Sequence, residues 1–92
     1  MSSGIASLNK ILKDETRTKI VLLLNEKGSL SCTELMEKLG FVTTGLFNYH
    51  LKILGDLLVK NETGQYMLSE KGKLTAKLLM EFPDVQQSGL KP

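Results

Sequence analysis

Two short helical segments joined by a tight turn lie between Leu30 and Leu58, and no other feature of this 92-residue chain constrains its fold as much. The first segment begins at a capping box, in which the Ser31 hydroxyl accepts from the amide of Glu34 and the Glu34 carboxylate accepts from the amide of Ser31. It ends at Gly40, because glycine tolerates the left-handed backbone with which a chain leaves a helix. Two helices connected in this way are typical of a helix-turn-helix.

The second segment, "LFNYHLKIL", is an amphipathic helix that begins at a capping threonine, Thr43 or Thr44. Phe47, Leu51 and Leu54 recur at the spacing of one helix face, so we expect them to be buried. The residues left on the outer side are Leu46, Asn48, Tyr49 and Lys52. Because the second helix of a helix-turn-helix fits a DNA major groove, these outer residues are candidates for contact with DNA.

A β-hairpin is predicted directly after this helix. The short β-prone runs "LLVKN" and "QYMLS" flank Glu62-Thr63-Gly64, where Gly64 suits the positive φ of a hairpin turn. A hairpin in this position is the wing of a winged helix-turn-helix.

Three further helices complete the predicted fold. Apolar residues at helical spacing predict a first helix from Ile5 to Leu12, and a second helix that is capped by Asp14 and ends at Gly28. Ser69 caps the last helix.

The predicted fold class is therefore mainly α with a small β hairpin, in the element order ααααββα of a winged helix-turn-helix. We expect one domain over residues 1–83, with dimerisation helices at its ends. The tail over residues 84–92 is polar and is expected to be disordered.

Composition excludes several classes of protein. A net charge of +2 and a hydrophobic content of 41% are ordinary for a globular domain. The longest apolar run, Ile20 to Leu24, is too short to span a bilayer. The first residues lack the basic start and long apolar stretch of a secretory signal, so we expect a cytoplasmic protein without membrane partners.

The sequence indicates neither a metal site nor a catalytic site. Cys32 is the single cysteine, and one thiol makes neither a disulfide nor a four-ligand zinc site, so no cofactor is expected. His50 is the single histidine and has no nucleophile and carboxylate arranged with it, so no enzyme activity is expected. We favour an inert thiol at Cys32 over a redox-active one. We also favour a half-buried His50 that donates one hydrogen bond over a pH sensor or metal ligand.

Four stretches of the chain together resemble a known family. They are "ILKDETRTKIVLLL", "SCTELMEKLG", "LFNYHLKILGDLLVK" and "GQYMLSEKGKLTAKLL", and they extend from Ile11 to Leu79. In order and spacing they resemble the ArsR-like winged helix-turn-helix transcriptional regulators, particularly small archaeal members with a "YHLK.LGDL" recognition helix. The resemblance implies a homodimer that binds a two-fold operator in double-stranded DNA, and repression by occlusion of a promoter is the expected effect.

The resemblance also implies which residues contact DNA. In the recognition helix they are Thr43, Thr44, Gly45, Leu46, Asn48, Tyr49 and Lys52, and in the wing they are Lys60, Asn61, Thr63 and Gln65. The threonines and the amides near Gly45 suit a phosphate. Asn48 has the paired donor and acceptor that read adenine, and Leu46 fits a thymine methyl. Tyr49 offers a hydroxyl, and Lys52 neutralises a phosphate.

Apolar stripes at both ends of the domain favour a homodimer. The expected interface consists of Ile5, Leu8, Leu12, Leu78, Leu79 and Phe82. One small core leaves part of such a surface uncovered, and a two-fold dimer buries it. The two recognition helices then lie about 34 Å apart, which is one helical repeat of DNA.

Charge supports an alternative, in which the winged helix is a protein-protein interaction adaptor that does not bind DNA. The segment from Phe41 to Leu68 has two lysines and two acidic residues, so its formal charge is zero. Arg17 is the single arginine in the chain, although cations supply much of the affinity of proteins for DNA. We favour DNA binding, with a shallow dependence on salt.

Overall fold

Residues 10–81 are the part of the chain that this computed structural model describes. They form helices α1 (Glu15–Lys27), α2 (Cys32–Leu39), α3 (Thr44–Leu54) and α4 (Glu70–Glu81), and residues 10–12 are also helical. The expectations for Ile5, Leu8, Phe82 and the tail over residues 84–92 lie outside the described residues. None of the helices within residues 10–81 is long and apolar enough to cross a membrane.

Helix α1 is the centre of the core. Its N-terminus is capped as predicted, since the Asp14 carboxylate accepts a hydrogen bond from the Thr16 amide at 2.7 Å. Ile20, Val21 and Leu24 are almost wholly buried and contribute to the hydrophobic core of the domain.

Helices α2 and α3 form the predicted helix-turn-helix. The capping box is present, with the Glu34 amide 3.1 Å from the Ser31 hydroxyl and the Ser31 amide 2.9 Å from the Glu34 carboxylate. Gly40 ends α2 in the left-handed conformation at φ 76°. Of the two candidate caps for α3, Thr43 is the one used, because its hydroxyl accepts from the Leu46 amide at 3.3 Å.

Three short strands form an antiparallel sheet in the order β1, β3, β2, in which β1 is Ser29–Leu30, β2 is Leu58–Lys60 and β3 is Tyr66–Leu68. Strands β2 and β3 are the predicted wing, and β1 is an addition to the predicted order. Ser29 lies opposite Met67 across the sheet. A run of two residues carries no alternation of its own, so β1 is defined by its partner strand and not by local sequence.

The mainly helical architecture with a small antiparallel sheet is a winged helix-turn-helix, as predicted. A short 3-10 helix, Gly55–Leu57, connects α3 to β2. Helices α1, α3 and α4 and the 3-10 helix pack around a common core. Phe47, Leu54 and Leu57 lie in this core and are fully buried.

Helix α4 begins where Ser69 was predicted to cap it, because the Ser69 hydroxyl accepts from the Gly72 amide at 3.1 Å. Its buried side consists of Gly72, Thr75, Ala76 and Leu79. Leu74 and Leu78 are instead 64% and 46% exposed. The apolar side of α4 is therefore divided between the core and the surface.

Two residues expected at a dimer interface belong to the core of the subunit. Leu12 is 5% exposed and Leu79 is 2% exposed, so neither has surface left for a second subunit. Periodicity identified both as apolar helix positions, but it does not tell which apolar surface covers them. This corrects the prediction for Leu12 and Leu79, and leaves Leu78 as an exposed candidate.

Candidate nucleic-acid interface

The outer side of α3 is a continuous exposed surface, which we call the recognition face. All its predicted members are exposed, and they are Thr43, Thr44, Gly45, Leu46, Asn48, Tyr49 and Lys52. The orientation of α3 follows from its other side, where Phe47, His50 and Leu54 are buried in the core. The predicted division of α3 into an inner and an outer side is therefore confirmed, except that Leu51 is only half-buried.

Val42 extends the recognition face and was not predicted. It lies in the turn before α3 and is 92% exposed, while Leu46 and Tyr49 are 51% and 54% exposed. Val42 precedes the N-cap Thr43, so the helical periodicity of α3 did not include it. These three apolar side chains are therefore exposed in and just before α3.

Arg17 lies behind the recognition face, in the interior of the domain. Its Nε donates to the carbonyl of Ile11 at 2.8 Å, and its Nη1 donates to Nδ1 of His50 at 3.0 Å. Its Nη1 also lies 3.9 Å from the Asp14 carboxylate. The single arginine of the chain is thus used inside the subunit and is not available to a partner.

This contact gives His50 a role as hydrogen-bond acceptor that was not predicted, and the predicted donation of one hydrogen bond by His50 stays a prediction. The guanidinium group has donors only, so Nδ1 of His50 accepts the hydrogen bond. His50 is also buried and not half-buried, with 5% of its surface exposed. Its ring lies beside the rings of Phe41 and Tyr49. The sequence offered no sign that Arg17, on another helix, is its partner.

Asp14 carries the negative charge of this cluster. Burial acts to raise the pKa of its carboxyl, but the hydrogen bond from the Thr16 amide and the positive charge of Arg17 outweigh that effect. The pKa of Asp14 therefore lies below its usual value of 3.8. The charged carboxylate is the form that stabilises the start of α1.

Polar side chains of the wing hold the turn together. The Asn61 side-chain oxygen accepts from the Thr63 amide at 3.0 Å, from the Thr63 hydroxyl at 2.8 Å and from the Gln65 amide at 3.0 Å. The Gln65 side-chain oxygen accepts from the Ser29 hydroxyl at 3.2 Å. Asn61 and Gln65 thus have structural roles in the wing, and their contact with DNA stays a prediction. Thr63 is exposed, and its amide and hydroxyl also donate the two hydrogen bonds to Asn61 within the turn.

Three lysines supply positive charge near the recognition face, and one of them, Lys10, is exposed and lines a cavity together with Tyr49. Lys52 is exposed in the last turn of α3. Lys60 is exposed in the wing, with its Nζ 5.2 Å from the centroid of the Tyr66 ring. The carboxylate of Asp56 lies 3.5 Å from Nζ of Lys71. The positive charge of Lys71 therefore offsets part of the negative charge of Asp56.

Within residues 10–81, no cluster of three or more histidine, cysteine, aspartate or glutamate side chains is arranged to hold a metal ion. Cys32 is half-buried. The chemistry concentrated on the recognition face is that of an amide, hydroxyls, apolar groups and a lysine.

Comparison with known proteins gives one family match. The model of a protein family described as Domain of unknown function (DUF7347) matches residues 6–79. No curated protein matches the chain, and no solved structure matches it.

Proposed function

The chain belongs to the DUF7347 family, and we propose that it is a sequence-specific transcriptional regulator that binds double-stranded DNA as a homodimer. The observation that carries the proposal is the recognition face, which projects Asn48, Tyr49 and Lys52 outward while Phe47 and Leu54 anchor α3 in the core. A helix about 10–12 Å across fits the major groove, which is about 12 Å wide. Such a regulator acts in the cytoplasm and blocks a promoter by occupying it.

The N-terminus of α3 suits a phosphate group. Thr43 and Thr44 are exposed there, and Gly45 has open space around its Cα. The amides of a first helical turn have no partners within the helix and lie at the positive end of its dipole. A DNA backbone placed there brings the next turn of α3, with Asn48 and Tyr49, to the base edges.

The exposed side of α4 supports the dimer. Leu74 and Leu78 are one helical turn apart, and both are exposed in the subunit. Burying two leucines against a second subunit gains free energy in proportion to the apolar area covered. The resemblance to ArsR-like regulators supports the same arrangement, in which terminal helices pair and the two recognition helices lie about 34 Å apart.

A protein-protein interaction adaptor is the second candidate, and two observations favour it. Val42, Leu46 and Tyr49 expose apolar surface in and just before α3. The segment from Phe41 to Leu68 has no net charge. A protein partner would cover that surface without needing cations.

A salt-dependent titration separates the two functions. Fluorescence anisotropy with a labelled duplex, first selected from random oligonucleotides, is measured between about 50 and 200 mM salt. For a regulator, affinity falls as salt rises, and Lys52→Ala lowers the slope of log affinity against log salt by about one per subunit. Lys77→Ala on α4 makes the same change of charge and should leave the slope unaltered. Failure of the selection to enrich any sequence, with no binding at the lowest salt, would contradict the regulator and favour the adaptor.

A further inference from the structure

We propose that the recognition face reads adenine-thymine pairs, with Asn48 on adenines of one strand and Leu46 on thymine methyl groups of the other strand. This inference rests on the DNA binding proposed above. It concerns the class of operator and not whether DNA is bound.

The N-terminal part of α3 lacks the charged side chains that most specifically read guanine and cytosine. Guanine is read through its O6 and N7 by arginine or lysine, and cytosine through its amino group by aspartate or glutamate. From Thr43 to Tyr49 the chain has none of these four residue types. The arginine of the chain, Arg17, is held in the interior by Ile11 and His50.

Lys52 does not change this conclusion. It lies in the last turn of α3, whereas recognition helices contact base edges with their N-terminal residues. At the far end of the helix, a lysine is placed to meet the phosphate backbone.

Helix α3 exposes side chains that suit adenine and thymine. Asn48 is exposed, and a carboxamide forms two hydrogen bonds with N6 and N7 of adenine. Leu46 is 51% exposed. The C5 methyl group of thymine is the apolar partner that the major groove offers to such side chains.

Leu46 and Asn48 lie on different sides of α3. At 3.6 residues per turn, Leu46 and Asn48 point about 160° apart around the helix. A helix lying in the major groove has one DNA strand on each side. Leu46 and Asn48 therefore face opposite strands of the DNA. The thymine and the adenine of one base pair also lie on opposite strands.

The test begins with selection of bound duplexes from a random library and continues with uracil substitution. Deoxyuridine in place of thymidine removes only the C5 methyl group. We expect adenine-thymine pairs at the selected positions and a loss of about fourfold in affinity for each contacted methyl removed, confined to one strand of each half-site. In the Leu46→Ala variant, the ratio between thymidine and deoxyuridine duplexes should fall toward one. Lys52→Ala should weaken both duplexes and keep the ratio.

The outcomes separate this inference from the proposed function. Selection of guanine-cytosine pairs at the contacted positions would overturn the inference and leave the regulator standing. Equal affinity of the parent protein for thymidine and deoxyuridine duplexes would do the same, and it does not depend on how the variants fold. A library from which no sequence is enriched would overturn both.

Discussion

Nη1 of Arg17 donates a 3.0 Å hydrogen bond to Nδ1 of His50, across 33 positions of the sequence, and so connects α1 to α3 inside the domain. The Nε of the same guanidinium donates to the carbonyl of Ile11, which brings residues 10–12 into the same contact. Because α3 carries the recognition face, this arginine helps to set the orientation in which that face is presented.

Replacing His50 by Leu should destabilise the domain by about 1–3 kcal/mol, because Nη1 of Arg17 then loses its acceptor in a buried site. The effect of Arg17→Met combined with His50→Leu should differ from the sum of the single effects by about 0.5–3 kcal/mol. Urea unfolding measures each free energy. Lys52→Leu, an exposed change on the same helix, should stay within about 0.5 kcal/mol of the parent. Strict additivity of Arg17→Met and His50→Leu would mean that the hydrogen bond does not stabilise the fold.

Asp14→Asn should lower stability at neutral pH and have no effect in strong acid. Asparagine caps a helix as well as aspartate does, so the change removes the charge and keeps the hydrogen bond. The pKa of Asp14 is lowered in the folded protein, so the unfolded chain binds the proton more tightly and acid favours unfolding. The stabilisation is complete above the usual value of 3.8 and disappears as pH falls through the lower folded value. Urea midpoints of both proteins from pH 7 to pH 2 should converge, and a constant gap would contradict this account.

Gly72→Ala should be among the most destabilising single changes in α4. An added Cβ would overlap the carbonyl oxygen of Leu57 and lie 3.1 Å from Cδ2 of Leu68. Overpacking of this kind costs about 1–3 kcal/mol. Gly45→Ala in α3 is the matched control, because a Cβ there meets nothing within 4 Å, and it should be stabilising by up to about 1 kcal/mol. Thermal unfolding compares the two, and equal melting temperatures would refute the close contact at Gly72.

The neighbours Leu78 and Leu79 should respond in opposite ways to truncation. Leu79→Ala should cost about 2–5 kcal/mol of folding free energy, because the side chain is buried. Leu78→Ala should leave folding nearly unchanged and shift the monomer-dimer equilibrium toward monomer, because Leu78 is exposed in the subunit. Sedimentation velocity at micromolar concentration measures the equilibrium. A parent protein that is monomeric under those conditions would contradict the proposed dimer.

Asn48→Ala should relax sequence preference and leave non-specific affinity intact. Loss of a bidentate contact with adenine costs about 1–3 kcal/mol of discrimination at one base pair. Competition between the selected duplex and a scrambled duplex in an anisotropy assay measures this difference. Lys52→Ala is the contrasting variant, since it should weaken binding to both duplexes alike. If Asn48→Ala also weakened both equally, Asn48 would be a backbone contact and not a reader of bases.

Local signals in the sequence determined where the helices begin and end and which side of α3 faces outward. The Asp14 cap, the Ser31 and Glu34 capping box and the left-handed Gly40 are all present, because each depends on groups within a few residues of one another. The spacing of Phe47 and Leu54 likewise predicted the recognition face, since one helical period is enough to define an inner side.

Only the tertiary structure decided which groups from distant segments meet. It paired β1 with β3, joined Arg17 to His50, and placed Leu79 in the core with Leu78 at the surface. Adjacent positions on a helix differ by about 100°, so both leucines fit an apolar stripe until the packing of the neighbouring elements is known. The hydrogen bond between Arg17 and His50 and the division of the apolar side of α4 both depend on how whole helices and strands pack. A local sequence pattern does not contain that information.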